Sequence, residues 1–229
     1  MTTVANALQA IRQRLAEAAA AAGRPAEGIQ LLAVSKTVPA TAIRQAYAAG
    51  QRAFGESYAQ EAMEKIPALN DLPLEWHFIG PIQSNKTRPL AEHFSWVHSL
   101  ERAKIAERLS AARPAGLPDL QVCIQVNISG EASKSGVAPE ELLPLARQVQ
   151  ALPRLKLRGL MAIPEPTPDP AHQRQQLRVL GELLDQLNAA GFSLDTLSMG
   201  MSDDLEAAIA EGATIVRVGS AIFGKRPKI

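Results

Sequence analysis

The chain has a single cysteine among its 229 residues, so no disulfide can form within it. Cys123 lies between Val122 and Ile124, a setting that suits a small buried hydrophobe. Charge of either sign is not in excess. The 24 basic and 23 acidic residues leave a formal net charge of +1, and nothing calls for nucleic acid or an anionic membrane as partner. No apolar stretch reaches the roughly 20 residues needed to cross a bilayer. No secretory-type apolar core opens the chain, and the first segment is neither acid-poor nor serine-rich as a transit peptide would be. A cytoplasmic protein acting as a monomer is the expectation. The four histidines show no metal-ligand spacing, and His93 and His98, five apart, do not share a helical face. The only tyrosines are Tyr47 and Tyr58.

What is present is an alternation. Residues 1–23 carry Val4, Leu8, Ile11 and Leu15 on one face, the mark of an amphipathic helix. Strand-like segments then follow at 29–35, 52–55, 75–79, 94–98, 120–127, 155–161, 195–199 and 214–218. Between them the pattern predicts helices at 39–49, 58–67, 85–91, 101–112, 139–151, 170–190 and 203–211. Alternation of this kind implies a parallel sheet covered by helices. Eight units in about 230 residues favour closure into an α/β fold of the (β/α)8 TIM-barrel type, one domain over 1–229, preceded by an extra N-terminal helix. The proline-rich stretch Ile163 to Pro170 reads as a stiff surface connection, because alternation continues beyond it.

In such a barrel, functional groups gather where strands end. Lys36 closes the apolar run Ile29–Val34 and precedes Thr37-Val38-Pro39. Burial there would disfavour the ammonium form and leave more neutral amine, the form that condenses with an aldehyde. The alternative is a lysine whose tip reaches water. Two later loops suit an anion. Ser202, after Gly200 and Met201, is placed to cap a helix, and Gly219-Ser220 offers close backbone approach and a hydroxyl. Each alone is an ordinary turn or cap; side by side after strands seven and eight, they favour phosphate. Arg217, between Val216 and Val218, needs a partner. It is either half of a structural ion pair or an inward charge that meets a ligand. Asn127 and Met161 are pocket wall or plain core. His77 suits a core position, and residues 131–136 form a flap over the mouth or a plain polar loop.

Five blocks carry a resemblance across essentially the whole chain. They are Ala33-Val34-Ser35-Lys36, Phe54-Gly55-Glu56-Ser57-Tyr58, Trp76 through Lys86, Ser198-Met199-Gly200-Met201-Ser202-Asp203, and Arg217-Val218-Gly219 with Phe223-Gly224. In this order they resemble the pyridoxal phosphate (PLP) homeostasis protein family, which is similar to the barrel domain of alanine racemase. The resemblance implies a PLP-binding protein that binds, buffers and delivers the cofactor to PLP-dependent apo-enzymes without substantial turnover. It implies Lys36 as the aldimine lysine, Ser202, Gly219 and Ser220, with Gly200, around the phosphate, and Arg217 facing the ring nitrogen. Such a contact would discourage ring protonation and restrain carbanion chemistry. The chain departs from the family in carrying Ser57 where asparagine is usual. Two other readings stay open: an amino-acid racemase, which needs acid–base groups on both faces of the substrate carbon, and a Schiff-base aldolase. The racemase uses a tyrosine from a second domain, and no such domain is expected here.

Overall fold

The computed structural model describes residues 3–130 and 134–224. Helix α1 (Val4–Ala21) comes first, capped by Thr3, whose Oγ1 accepts the Asn6 N–H at 3.2 Å. Its stripe Leu8, Ile11, Leu15, Ala18 and Ala19 is buried. Eight strands follow: β1 (Gln30–Val34), β2 (Ala53–Glu56), β3 (Glu75–Phe78), β4 (Trp96–Leu100), β5 (Leu120–Gln125), β6 (Leu155–Met161), β7 (Thr196–Ser198) and β8 (Ile215–Val218). The helices between them are α2 (Ala40–Ala48), α3 (Ala59–Ala68), α4 (Thr87–His93), α5 (Ala103–Ala112), α6 (Pro139–Gln150), α7 (Pro170–Ala189) and α8 (Leu205–Ala210). A one-turn α9 (Ser220–Phe223) follows β8.

Each strand pairs in parallel with the next, and β8 closes on β1 with Gln30 opposite Ile215 and Leu32 opposite Arg217. The predicted barrel is therefore the observed one. Closure buries most of both faces of the strands, and the period of two divides their residues between two cores. Leu31, Ala33, Phe54, Val97, Val122, Val216 and Val218 pack outward under the helices. Leu32, Ala53, Trp96, Cys123, Met161 and Ile215 form a second, inner cluster. Helix α1 lies outside the ring, against α8, α9 and α2.

Several boundaries differ from the expected ones. β4 begins at Trp96 rather than Phe94, because α4 runs on to His93 and the Phe94 N–H still closes on Leu90 O at 3.1 Å. β5 stops at Gln125, so Asn127 lies beyond the strand. α8 starts at Leu205 with Asp204 in the capping position, so Ser202 sits in the turn before the helix and is not its cap. No helix among the described residues is long and apolar enough to cross a membrane.

Candidate functional site

At the ends of β1, β2, β3, β6, β7 and β8 a cavity of about 230 Å³ opens. It is lined by Val34, Lys36, Ser57, Ile79, Ile163, Met201, Ser202, Asp203, Arg217, Gly219 and Ser220. Five residues picked out from sequence alone, Lys36, Ser202, Arg217, Gly219 and Ser220, thus meet in one place although 184 positions separate the first from the last.

Lys36 is half-buried at the exit of β1. Its two chain neighbours are held from outside the barrel. Ser35 Oγ donates to Glu56 Oε1 at 2.6 Å, and the Ser35 carbonyl accepts from Lys65 Nζ at 2.7 Å. The Thr37 N–H donates to Glu61 Oε1 at 2.6 Å. Lys65 ties the two carboxylates together by pairing with both. Thr37 has φ of 61°, an uncommon conformation for a β-branched residue. A backbone turned so sharply persists only where its surroundings over-determine it. Burial raises the Glu56 carboxyl above its ordinary range, with Lys65 and Ser35 opposing.

Arg217 points inward. Its Nη1 donates to Ser198 O at 2.5 Å and to Ser198 Oγ at 2.9 Å, and Nη2 donates to Ala162 O at 2.9 Å. The charge points inward, as the second sequence reading expects, and is held by carbonyls and a hydroxyl. Burial lowers its pKa to about 10, which leaves it a cation at neutral pH. Gly200, next to Ser198 and Met199, has φ of +91°, and its carbonyl accepts the Arg217 N–H at 2.9 Å. A Cβ at Gly200 would come within 2.5 Å of Ala208 Cβ. Gly200 therefore shapes the turn that leads to Ser202 and does not line the cavity itself. Met201 N–H donates to Asp204 Oδ1 at 2.5 Å, which folds that turn against α8.

Two predicted wall residues lie elsewhere. Met161 is fully buried in the inner cluster. Asn127 organises its own loop: Nδ2 donates to Lys134 O at 3.3 Å, and Oδ1 accepts from Ser129 Oγ at 3.1 Å and Gly130 N–H at 3.2 Å. Of the proposed flap, residues 131–133 lie outside the described residues, while the Gly136 N–H donates to Glu101 Oε2 at 2.9 Å. Cys123 is buried, and desolvation pushes its thiol up to about 12.

Val34, Ile163 and Asp203 were not anticipated as lining. The signal was available for the first two: Val34 lies two residues before Lys36 and Ile163 two after Met161, so each shares its neighbour's face of the strand direction. His77 and His98 were also missed as a pair. Both are fully buried, and His77 Nδ1 lies 2.9 Å from His98 Nε2.

The polar groups are the Lys36 amine, the hydroxyls of Ser57, Ser202 and Ser220, the Asp203 carboxylate and a buried guanidinium around a small space, with a glycine at the β8 exit. The set fits a small anionic aldehyde: the amine can bind the carbonyl carbon, and the hydroxyls and cation can receive anionic oxygens.

Fold and site together define a class, the barrel of alanine racemase type: the family model described as "Alanine racemase, N-terminal domain" matches residues 7–227. Full-length relatives narrow it. The chain is 64% identical over 226 residues to the pyridoxal phosphate homeostasis protein of Pseudomonas aeruginosa, covering 99% of this chain and 97% of that one. It is 53% identical over 229 residues to the protein of the same name from Escherichia coli K12, with 99% and 98% coverage. Among solved structures, PipY of Synechococcus elongatus with PLP bound superposes with a TM-score of 0.86 at 38% identity, covering 97% of this chain and all of that one. The chain belongs to the pyridoxal phosphate homeostasis protein family. Alanine racemase from Corynebacterium glutamicum matches with a TM-score of 0.70 at 18% identity over 61% of its length, a likeness of fold.

Proposed function

We propose that this protein binds PLP reversibly through Lys36, buffers it within the cell and passes it to PLP-dependent apo-enzymes, without substantial turnover of its own. The observation that carries the reading is the convergence of Lys36, Arg217, Ser202, Gly219 and Ser220 on one cavity. Lys36 Nζ, when unprotonated, forms a C=N bond to the aldehyde carbon with release of one water. Ser202, Gly219 and Ser220 hold the phosphate. Arg217 faces the ring nitrogen and, as a fixed cation, disfavours a proton there. PLP otherwise supplies an electron sink for carbanion chemistry.

The wall of the cavity also favours handling over catalysis. Ile163 and Met201 line it yet remain 44% and 36% exposed. A site open to this degree admits water, which weakens electrostatic control of a carbanion, and leaves a route for a bound molecule to depart. Neither tyrosine lines the cavity, while Lys36, Asp203 and Arg217 do. Ser57 lies in the lining, so the change from the family's usual asparagine falls beside the cofactor.

The test is borohydride reduction of the PLP-loaded protein followed by peptide mass spectrometry. The expected result is a pyridoxyl group on Lys36, and loss of the visible absorbance band in Lys36→Ala with the far-ultraviolet circular dichroism unchanged. A pyridoxyl group on another lysine, or a band that survives Lys36→Ala, refutes the assignment. Racemisation of L-alanine at ordinary enzymatic rates refutes the handling role.

A further inference from the structure

Below the cavity, a continuous line of hydrogen bonds runs along the inside of the barrel from Arg217 to the N-terminal end of β3. Arg217 Nη1 donates to Ser198 Oγ at 2.9 Å. Ser198 Oγ lies 2.7 Å from His98 Nδ1. His98 Nε2 lies 2.9 Å from His77 Nδ1, and His77 Nε2 lies 2.5 Å from Glu75 Oε1. Glu75 is partly exposed and also accepts from Gln30 Nε2 at 3.2 Å. Thus one end of the line is a cation beside the cavity, and the other is a carboxylate that reaches solvent.

We infer that Ser198, His98, His77 and Glu75 form a one-way hydrogen-bond relay that orients the Arg217 guanidinium at the cofactor site, with both imidazoles held as neutral rings protonated on Nε2. The inference rests on the proposed function only in giving Arg217 a cofactor to face.

The carboxylate end decides the direction. A guanidinium can only donate, and an ionised carboxylate can only accept. The hydrogen bond from His77 holds the Glu75 carboxyl below its ordinary range, so it is ionised at neutral pH and accepts from His77 Nε2–H. Burial lowers the His77 pKa, so that ring is neutral and its Nδ1 is an acceptor. His98 must then donate from Nε2. Burial, the neighbouring His77 and Arg217 hold His98 well below its ordinary value, so its Nδ1 accepts. Ser198 supplies that proton while its oxygen receives one from Arg217. Reasoning from the Glu75 end thus fixes four protons, all pointing from Arg217 toward Glu75, and the donating guanidinium at the other end is compatible with them. Chains of this kind polarise one another in a low-dielectric interior, and a break leaves a buried group unsatisfied.

The groups packed around the line do not compete with it. Trp96 stacks on His77 with centroids 5.5 Å apart and planes 3° apart, and lies 5.7 Å from His98. Arg158, over the Trp96 ring at 5.1 Å, is paired with Asp195 at 2.7 Å. Cys123 remains a thiol. Asp204 acts on Arg217 through its charge and favours the cation. Ser198, His98, His77 and Glu75 are accordingly positioning residues: each acts on the cofactor only through Arg217.

The test is nitrogen-15 histidine NMR on the full chain, first without PLP and then loaded. At pH of about 7.5, both buried rings should give the Nε2–H tautomer pattern, separate from the signals of exposed His93 and His172. Ser198→Ala should turn the His98 pattern into a tautomer mixture and weaken PLP binding about tenfold, the effect of one hydrogen bond in a charged network. Ser198→Thr, which keeps the hydroxyl, should restore both. An Nδ1–H tautomer or a charged imidazole on either buried ring in the wild-type chain overturns the relay, as does Ser198→Ala with unchanged His98 signals and PLP affinity. The tautomers are read without cofactor, so they stand or fall apart from the Lys36 assignment.

Discussion

Lys65 Nζ donates to the backbone carbonyl of Ser35 at 2.7 Å, so a buried ammonium on α3 grips the residue immediately before Lys36. The same ammonium pairs with Glu56 at 3.0 Å and with Glu61, which in turn receives the Thr37 N–H. One ion cluster between barrel and helix therefore clamps the peptide on both sides of Lys36. Its carboxylate partner Glu56 is fully buried, so the cluster resists losing its cation.

Lys65→Met should lower unfolding stability by about 3–5 kcal/mol in urea titrations, because it leaves a buried carboxylate without its counter-charge. PLP should bind more weakly as well, since Lys36 loses the clamp behind it. A loss below about 1 kcal/mol would mean that Glu56 is already protonated and that the cluster contributes little.

How much of this was legible in the sequence differs from residue to residue. Lys36 and Arg217 stand out because each is a charge set against a short branched apolar run, and strand period alone sends such residues to a barrel's rim or interior. Ser202 lines the cavity, but the sequence does not fix its local role: Ser202, Asp203 and Asp204 are all capping-type side chains, and only the observed start of α8 at Leu205 selects Asp204. Asn127 and Met161 illustrate a second limit. Both follow the parity of a strand that enters the mouth, yet depth along the barrel axis depends on stagger between strands, which no single segment encodes. The pairing of His77 with His98 depends on register in the same way. His77 is opposite Trp96, which brings His98, two residues further on, up beside it.

Arg217→Glu should displace the visible band of the PLP-loaded protein and weaken cofactor binding by more than tenfold. The substitution replaces a buried cation, held by Ser198 and Ala162 carbonyls, with an anion that those carbonyls repel. Spectrophotometric titration with PLP reads both quantities. An unchanged spectrum with unchanged affinity would place the guanidinium away from the ring.

Gly200→Ala should cost about 2–5 kcal/mol, measured by chemical denaturation. A left-handed backbone at an L-residue contributes about 1–2 kcal/mol, and forcing a methyl into a filled space about 1–3 kcal/mol. The methyl would meet Ala208 Cβ at 2.5 Å. A double variant Gly200→Ala with Ala208→Gly should recover only the crowding part, because φ of +91° remains. Full recovery would assign the whole cost to contact and none to backbone conformation.

Stability should fall as pH drops below about 6.5, and the buried histidines set the sign. Burial holds His77 and His98 below the ordinary imidazole value near 6.5 in the folded chain. Their contribution is therefore fully present above that value and is lost as pH falls through the folded ones. In that window the unfolded chain takes up two protons that the folded chain refuses, a slope of up to about 2.7 kcal/mol per pH unit. Glu56 works the other way: its raised folded pKa makes it stabilising below about 4.5 and costs stability as pH rises through the folded value, an offset of up to about 1.4 kcal/mol per unit where the windows overlap. Glu75, Glu206, Glu211 and Asp195, all held below their ordinary values by hydrogen bonds from His77, Arg14, Arg178 and Arg158, add to the loss only at lower pH. Urea midpoints between about pH 7.5 and 5.5 should therefore decline, and His98→Asn should roughly halve the decline. A flat profile across that range would mean that at least one of the buried rings carries its proton in the folded state.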